Sequence, residues 1–333
     1  MQLDQTHVVI RVRSLSEIGD LVLVMIRQYP KAMYVGFASG AILWALANAA
    51  LLSWIPIQEA AYGLDDEEAR AELFRYLTWM AILVALQAPA AGVPMTLYLG
   101  QAVSEKTPTW SSVFAETRRQ FWKWIWALGV MRYAIPAMLI VAFRWDTPFS
   151  GFWDVFVPIL FLFLMTVIRS SRPFMPEIIV LEQCPLRSKS ASAITVKKRS
   201  KSLHNPITSE LSGRFIAVGF VAIGMTIATM YSLIFVRGIT TNLWNFLDLF
   251  VLLVIYPLSL WIVASLSVIT RLLNYIDARI RLEGWEVELA IRAEAIRQFG
   301  EESIAPASVV KRPTSPAVER SLPSEPLTSG EAQ

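Results

Sequence analysis

The chain has 333 residues, of which 55% are hydrophobic and 17% charged, with a mean hydropathy of +0.47 and a formal net charge of +3. A water-soluble domain of this size carries more charge, so the composition excludes a wholly soluble protein and points to a membrane. One cysteine, Cys184, and two histidines, His7 and His204, exclude an internal disulfide and leave no ligand set for a metal.

Residues 1–31 form a lead-in, expected on the cytoplasmic side with a helix lying in the interface. Asp4, Arg11, Arg13, Glu17 and Asp20 are too many charges for a cleaved signal peptide, so the first membrane helix is expected to act as the insertion signal. Ser14-Leu-Ser-Glu17 fits a capping box, and Ile18, Val22, Met25, Ile26 and Tyr29 then share one helical face.

Residues 32–270 read as a membrane domain of six spans, at about 32–55, 74–99, 124–143, 153–168, 215–236 and 246–269. Gly36 and Gly40 in the first span, and Gly224 and Ala228 in the fifth, sit at four-residue spacing and read as helix-packing positions. Pro89 and Pro94 predict a bend in the second span, and Pro257 a kink in the sixth. The sixth span runs without a break into 271–300, a charged amphipathic helix with its pairs at helical spacing. Residues 301–333, rich in Pro, Ser, Glu and Thr, read as a disordered tail.

Basic residues fall almost entirely in the lead-in, the 100–123 and 169–214 loops and the C-terminal segment; the opposite loops hold only Arg70, Arg75, Arg144 and Arg237. Six spans with both termini cytoplasmic satisfy the positive-inside rule at every loop. The expected fold is therefore all-α and polytopic, with interfacial amphipathic helices on the cytoplasmic side.

The segments Arg13-Ser-Leu-Ser-Glu-Ile-Gly-Asp20, Ile26-Arg-Gln-Tyr29, Pro176-Glu-Ile-Ile-Val-Leu-Glu182 and Tyr275 to Glu286 resemble a broad bacterial six-helix membrane family. That family includes the membrane domain attached to some glycerophosphoryl diester phosphodiesterases. The resemblance spans about residues 10–290 and implies an integral protein of the bacterial inner membrane. It implies no activity, since the phosphodiesterase name belongs to a catalytic domain that these residues do not match.

Arg132 stands deep within a span, where an unpaired arginine costs roughly 2.5–3.5 kcal/mol on insertion scales. Gln87 and Asn48 lie at broadly similar depth and are its expected partners in a pocket for a lipid phosphate or another anion. Lys197, Lys198, Arg199 and Lys201 form a basic segment suited to anionic headgroups at the cytoplasmic face. Tyr275, Asp277, Arg279, Arg281, Glu283, Gly284, Trp285 and Glu286 form the densest polar feature, read as a docking surface for a membrane or cytoplasmic protein.

Glu177 and Glu182 have no histidine, metal ligand or nucleophile beside them, and no phosphate loop, zinc-protease motif or nucleophile elbow occurs. Nucleic-acid binding lacks any aromatic stacking pattern to accompany the charge. The expectation is a non-enzymatic scaffold or accessory protein in envelope or lipid-related processes, without cofactor. The alternative is a transporter, channel or lipid-handling protein with a polar site around Arg132.

Overall fold

The computed structural model describes residues 14–62, 66–103, 108–187 and 194–283. Among them every regular element is helical. The first helix, α1 (Leu15–Gln28), starts at the expected capping box: the Ser14 hydroxyl accepts from the Glu17 amide, and the Glu17 carboxylate accepts from the Ser14 amide. Its buried face of Ile18, Val22 and Met25 lies against the last helix of the bundle.

A π-helical turn, Ala32–Phe37, leads into α2 (Ala38–Leu52), followed by α3 (Trp54–Tyr62), α4 (Asp66–Ala91) and α5 (Val93–Val103). Next come α6 (Trp110–Arg119), α7 (Phe121–Trp124), a π segment Ile125–Val130 and α8 (Ala134–Phe143). A third π segment, Phe152–Phe156, opens α9 (Val157–Ser171), and the short α10 (Met175–Val180) and α11 (Val196–His204) follow. The 34-residue α12 (Thr208–Thr241), a further π segment Val251–Ile255 and α13 (Tyr256–Glu283) complete the described chain.

Among the described residues, five stretches are long and apolar enough to cross a membrane: Ala32–Ala61, Glu67–Ala91, Phe152–Ser171, Val196–Thr241 and Val251–Leu282. A sixth arises if Phe121–Val130 and Ala134–Phe143, which meet at 63°, count as one broken span. Helix α4 occupies the centre, packed by α2, α8, α9 and α13, with Leu83 and Leu86 fully buried. By contrast, α12 rests on α9 and α13 and presents most of its apolar surface outward, as a helix bathed in lipid does.

The breaks have identifiable causes. Pro158 and Pro257 lack the N–H that would close onto residues 154 and 253, and both of those positions lie in π segments. Pro136 likewise cannot close onto Arg132, and the turn there places Tyr133 in the left-handed region at φ 65°. In the second span Pro89 is accommodated inside α4, and the helix parts at Gly92, just before Pro94. Pro257 itself lies in the first turn of α13.

Small residues set the approach between α2 and the α4–α5 junction. A Cβ at Gly40 would stand 2.0 Å from the Ala91 carbonyl oxygen, and one at Gly36 would stand 3.2 Å from the Met95 backbone. These two positions carry the close packing expected of them. Gly224 and Ala228 point away from the bundle instead, and a Cβ at Gly224 would meet nothing within 4 Å. Gly40→Val should therefore destabilise the chain by roughly 1–3 kcal/mol through overpacking, while Gly224→Val should leave thermal unfolding in detergent unchanged. Equal melting temperatures for the two variants would contradict the packing described.

Candidate functional site

Two charged clusters lie inside the helical bundle, and they differ in balance. The first joins α4 to the turn between α8 and α9. Asp154, wholly buried, lies 3.3 Å from Arg75 Nε and 3.3 Å from Arg144 Nη2 and accepts from the Ser150 amide at 2.9 Å. Arg75 also donates to the Thr147 and Arg144 carbonyls at 2.8 and 2.7 Å, meets Glu72 at 3.4 Å and lies over the Trp54 ring. Two guanidinium groups thus face two carboxylates and several carbonyls, so the charges balance, while Arg75 Nε and Arg144 Nε are buried without a hydrogen-bond partner. The cluster locks the loop 144–150 onto α4.

The second cluster gathers at the other end of α4, where α9, α10 and α13 converge with the broken span. Arg271 of α13 donates from Nε to Glu177 Oε1 of α10 at 2.7 Å. Arg132, at the break before α8, donates to the Arg172 carbonyl beyond α9, and Arg169 donates to the Leu86 carbonyl of α4 at 3.0 Å. Arg132 lies within electrostatic reach of Arg271 and Glu177, and Arg169 within reach of Arg132 and Arg271. Among the described residues, three guanidinium groups therefore lie near one another with one carboxylate, which pairs with Arg271. Arg132 and Glu177 are buried, and the Arg271 side chain is 14% exposed.

A buried ion pair is stable only when its remaining lone pairs and protons are also satisfied. Here they are not: Glu177 Oε2 and Arg271 Nη2 are buried without a hydrogen-bond partner. What this arrangement can do chemically is hold an anion. Arginine is suited to that task, because its planar fork matches a carboxylate or phosphate with two parallel bonds.

The expected pairing of Arg132 with Gln87 and Asn48 is corrected by the structure. Asn48 Nδ2 donates to Gln87 Oε1 and Gln87 Nε2 to Asn48 Oδ1, both at 2.8 Å, so the two amides satisfy each other. Arg132 has other neighbours: Arg172, Arg169, Arg271 and Glu177. Of these, Arg169, Arg271 and Glu177 carry no site role in the sequence reading. Arg169 and Arg271 stand at span ends, where positive-inside flanks account for them.

A third set of charges ties the connecting segment down. Glu182 accepts from Arg199 Nη2 at 2.8 Å and from the Tyr275 hydroxyl at 2.6 Å, with Arg279 at 3.7 Å. Arg281 forms a bidentate pair with Glu210 at 2.7 and 2.9 Å, and Arg214 reaches Asp277 at 3.1 Å. His204 Nδ1 is 2.7 Å from the Ser200 carbonyl, and its Nε2 accepts from the Phe174 amide at 3.2 Å, which fixes the neutral tautomer and ties α11 to α10.

These contacts bear on the proposed docking surface. Tyr275 and Asp277 are buried, and Arg279 and Arg281 face carboxylates of their own chain, so these four hold the fold together. The Glu283 side chain, Gly284, Trp285 and Glu286 lie outside the described residues. On α11, Lys197, Lys198 and Lys201 are exposed, whereas Arg199 turns inward to Glu182.

Comparison with family models, with curated proteins and with solved structures returns no match. The site is therefore read from its own geometry.

Burial would raise the Glu182 carboxyl, but the hydrogen bonds from Arg199 and Tyr275 hold it below its ordinary 4.5. Its stabilisation is fully present above that ordinary value and is lost as pH falls through the lowered one. The melting temperature of the full chain should fall more steeply below pH 4.5 than that of Glu182→Gln, and parallel curves would contradict this. In the charge-balanced cluster, Asp154→Ala should cost about 3–5 kcal/mol in unfolding free energy, because Arg75 is left buried without its carboxylate. A loss below about 1 kcal/mol would mean that the cluster is solvated.

Proposed function

We propose that this chain is a non-catalytic, six-span membrane protein that binds the phosphate of an anionic lipid at Arg132, Arg169 and Arg271. The observation that carries this reading is the charge imbalance of that cluster: among the described residues, three guanidinium groups lie near one carboxylate. A structural role alone calls for the charge balance seen around Asp154. An incompletely satisfied cationic cluster is what a site for a missing anion looks like.

Three observations favour a lipid. Met131, next to Arg132 in the chain, is 62% exposed, and Trp126 and Val167 are exposed on the segments that carry Arg132 and Arg169, so those segments present apolar surface of the kind lipid covers. The exposed Lys197, Lys198 and Lys201 of α11 suit an anionic leaflet, each contributing about 1 kcal/mol near such a surface. The distribution of Lys and Arg along the chain supports a cytoplasmic position for this end and for both termini.

The scaffold reading loses most of its motive, because Tyr275, Asp277, Arg279 and Arg281 are engaged within the chain. The lipid-handling alternative gains what the scaffold loses. Arg169→Gln and Arg271→Gln should each weaken binding of a short-chain anionic phospholipid at least about tenfold relative to the wild type, the loss expected for one charge-assisted hydrogen bond. Native mass spectrometry of the full chain measures this. Unchanged binding in both variants would sink the reading.

A further inference from the structure

The two orphan atoms of the cluster are of opposite hydrogen-bonding sense. Arg271 Nη2 is a donor and Glu177 Oε2 an ionisable acceptor, and they are the unused ends of the same ion pair. A bare phosphate can satisfy the guanidinium but has only acceptor oxygens to offer a carboxylate when it is a diester. Leaving Glu177 Oε2 unpaired beside a bound anion would add repulsion between two negative groups to the desolvation of a buried carboxylate. A ligand that pairs both atoms must carry an anionic oxygen and, within a few bonds of it, a hydroxyl donor.

Resting on the lipid-phosphate reading, we propose that the site selects a phosphodiester headgroup bearing a free hydroxyl, with the phosphate on Arg132, Arg169 and Arg271 and the hydroxyl donating to Glu177 Oε2. Glu177 is then the specificity residue. It is wholly buried and anchored through Oε1 to Arg271 at 2.7 Å, so Oε2 is held at a fixed point beside the guanidinium. An ammonium headgroup could also donate, but it cancels the phosphate charge and forfeits attraction to a cluster that holds three cations and one anion. A glycerol-type headgroup keeps the negative charge and supplies the donor.

The test compares two lipids of equal charge and identical short acyl chains, phosphatidylglycerol and phosphatidylmethanol, on the delipidated full chain in detergent. Phosphatidylcholine serves as the neutral reference, and bound lipid is read by native mass spectrometry. Wild type is expected to bind phosphatidylglycerol about tenfold more tightly than phosphatidylmethanol, the ratio for one hydrogen bond to a charged acceptor. In Glu177→Gln that ratio should fall to about threefold or less, because a neutral amide is the weaker acceptor.

Equal binding of the two anionic lipids by wild type would overturn the hydroxyl assignment, leave the phosphate reading standing and mean that a water fills the gap. An unchanged ratio in Glu177→Gln would remove Glu177 from selection. Binding of neither anionic lipid above phosphatidylcholine would defeat the phosphate reading itself. Displacement of phosphatidylglycerol by free glycerophosphoglycerol at similar concentration would identify a soluble headgroup rather than a lipid as the ligand. The wild-type comparison needs no variant, so it decides the matter even if Glu177→Gln does not fold.

Discussion

The constraint on which this structure turns is that a charge placed inside a membrane domain must find its opposite or its hydrogen bonds within the protein. The chain balances its charges at one end. Asp154 binds Arg75 and Arg144, Glu72 adds a second carboxylate, and loop carbonyls accept from Arg75. At the other end Arg271 binds Glu177, Arg132 and Arg169 lie within electrostatic reach of Arg271, and each of those two has one carbonyl. The same chain therefore shows what a purely structural cluster looks like, and the second cluster departs from it in a definite direction: too many donors, too little negative charge.

That convergence requires broken helices. A straight helix through residues 125–143 would close its backbone bonds throughout. Pro136 prevents closure onto Arg132, and the left-handed Tyr133 reverses the local direction. The break brings Arg132 to the carbonyl of Arg172, past the end of α9. Gly92, where α4 parts from α5, is pressed against Val268 of α13, so the second break sits three residues before Arg271 on the neighbouring helix. Irregular backbone at membrane depth is tolerated where it is buried in protein or lines a polar cavity, and both breaks here border the arginine cluster.

The local features of this fold were legible in the sequence because each depends on spacing along the chain. The capping box at Ser14, the apolar runs, and the close approach at Gly36 and Gly40 all follow from residues within one or two helical turns. The site was legible only at Arg132, whose charge has no explanation as a flank. Arg169 and Arg271 have that explanation, and their burial depends on α10 folding back beneath the bundle, which no local pattern announces. Asn48 and Gln87 show the same limit from the other side. Two amides each carry a donor and an acceptor, so they complete one another and leave nothing for a cation.

Part of the docking surface expected on α13 is occupied within the chain for a related reason. Charges at helical spacing read as an exposed stripe when the helix is considered alone, but Asp277, Arg279 and Arg281 meet Arg214, Glu182 and Glu210 once α11 and α12 are in place. These pairs hold α13 on the side from which Arg271 projects toward α10, with Tyr275 one turn further along bound to Glu182. A ligand approaching Arg271 thus meets a helix clamped at several points. The carboxylate opposite it comes from a six-residue helix whose only polar tie through Glu177 is the ion pair itself. Both halves of that pair are therefore held, Arg271 by its clamped helix and Glu177 by its bond to Arg271, so an entering phosphate meets donors already in place.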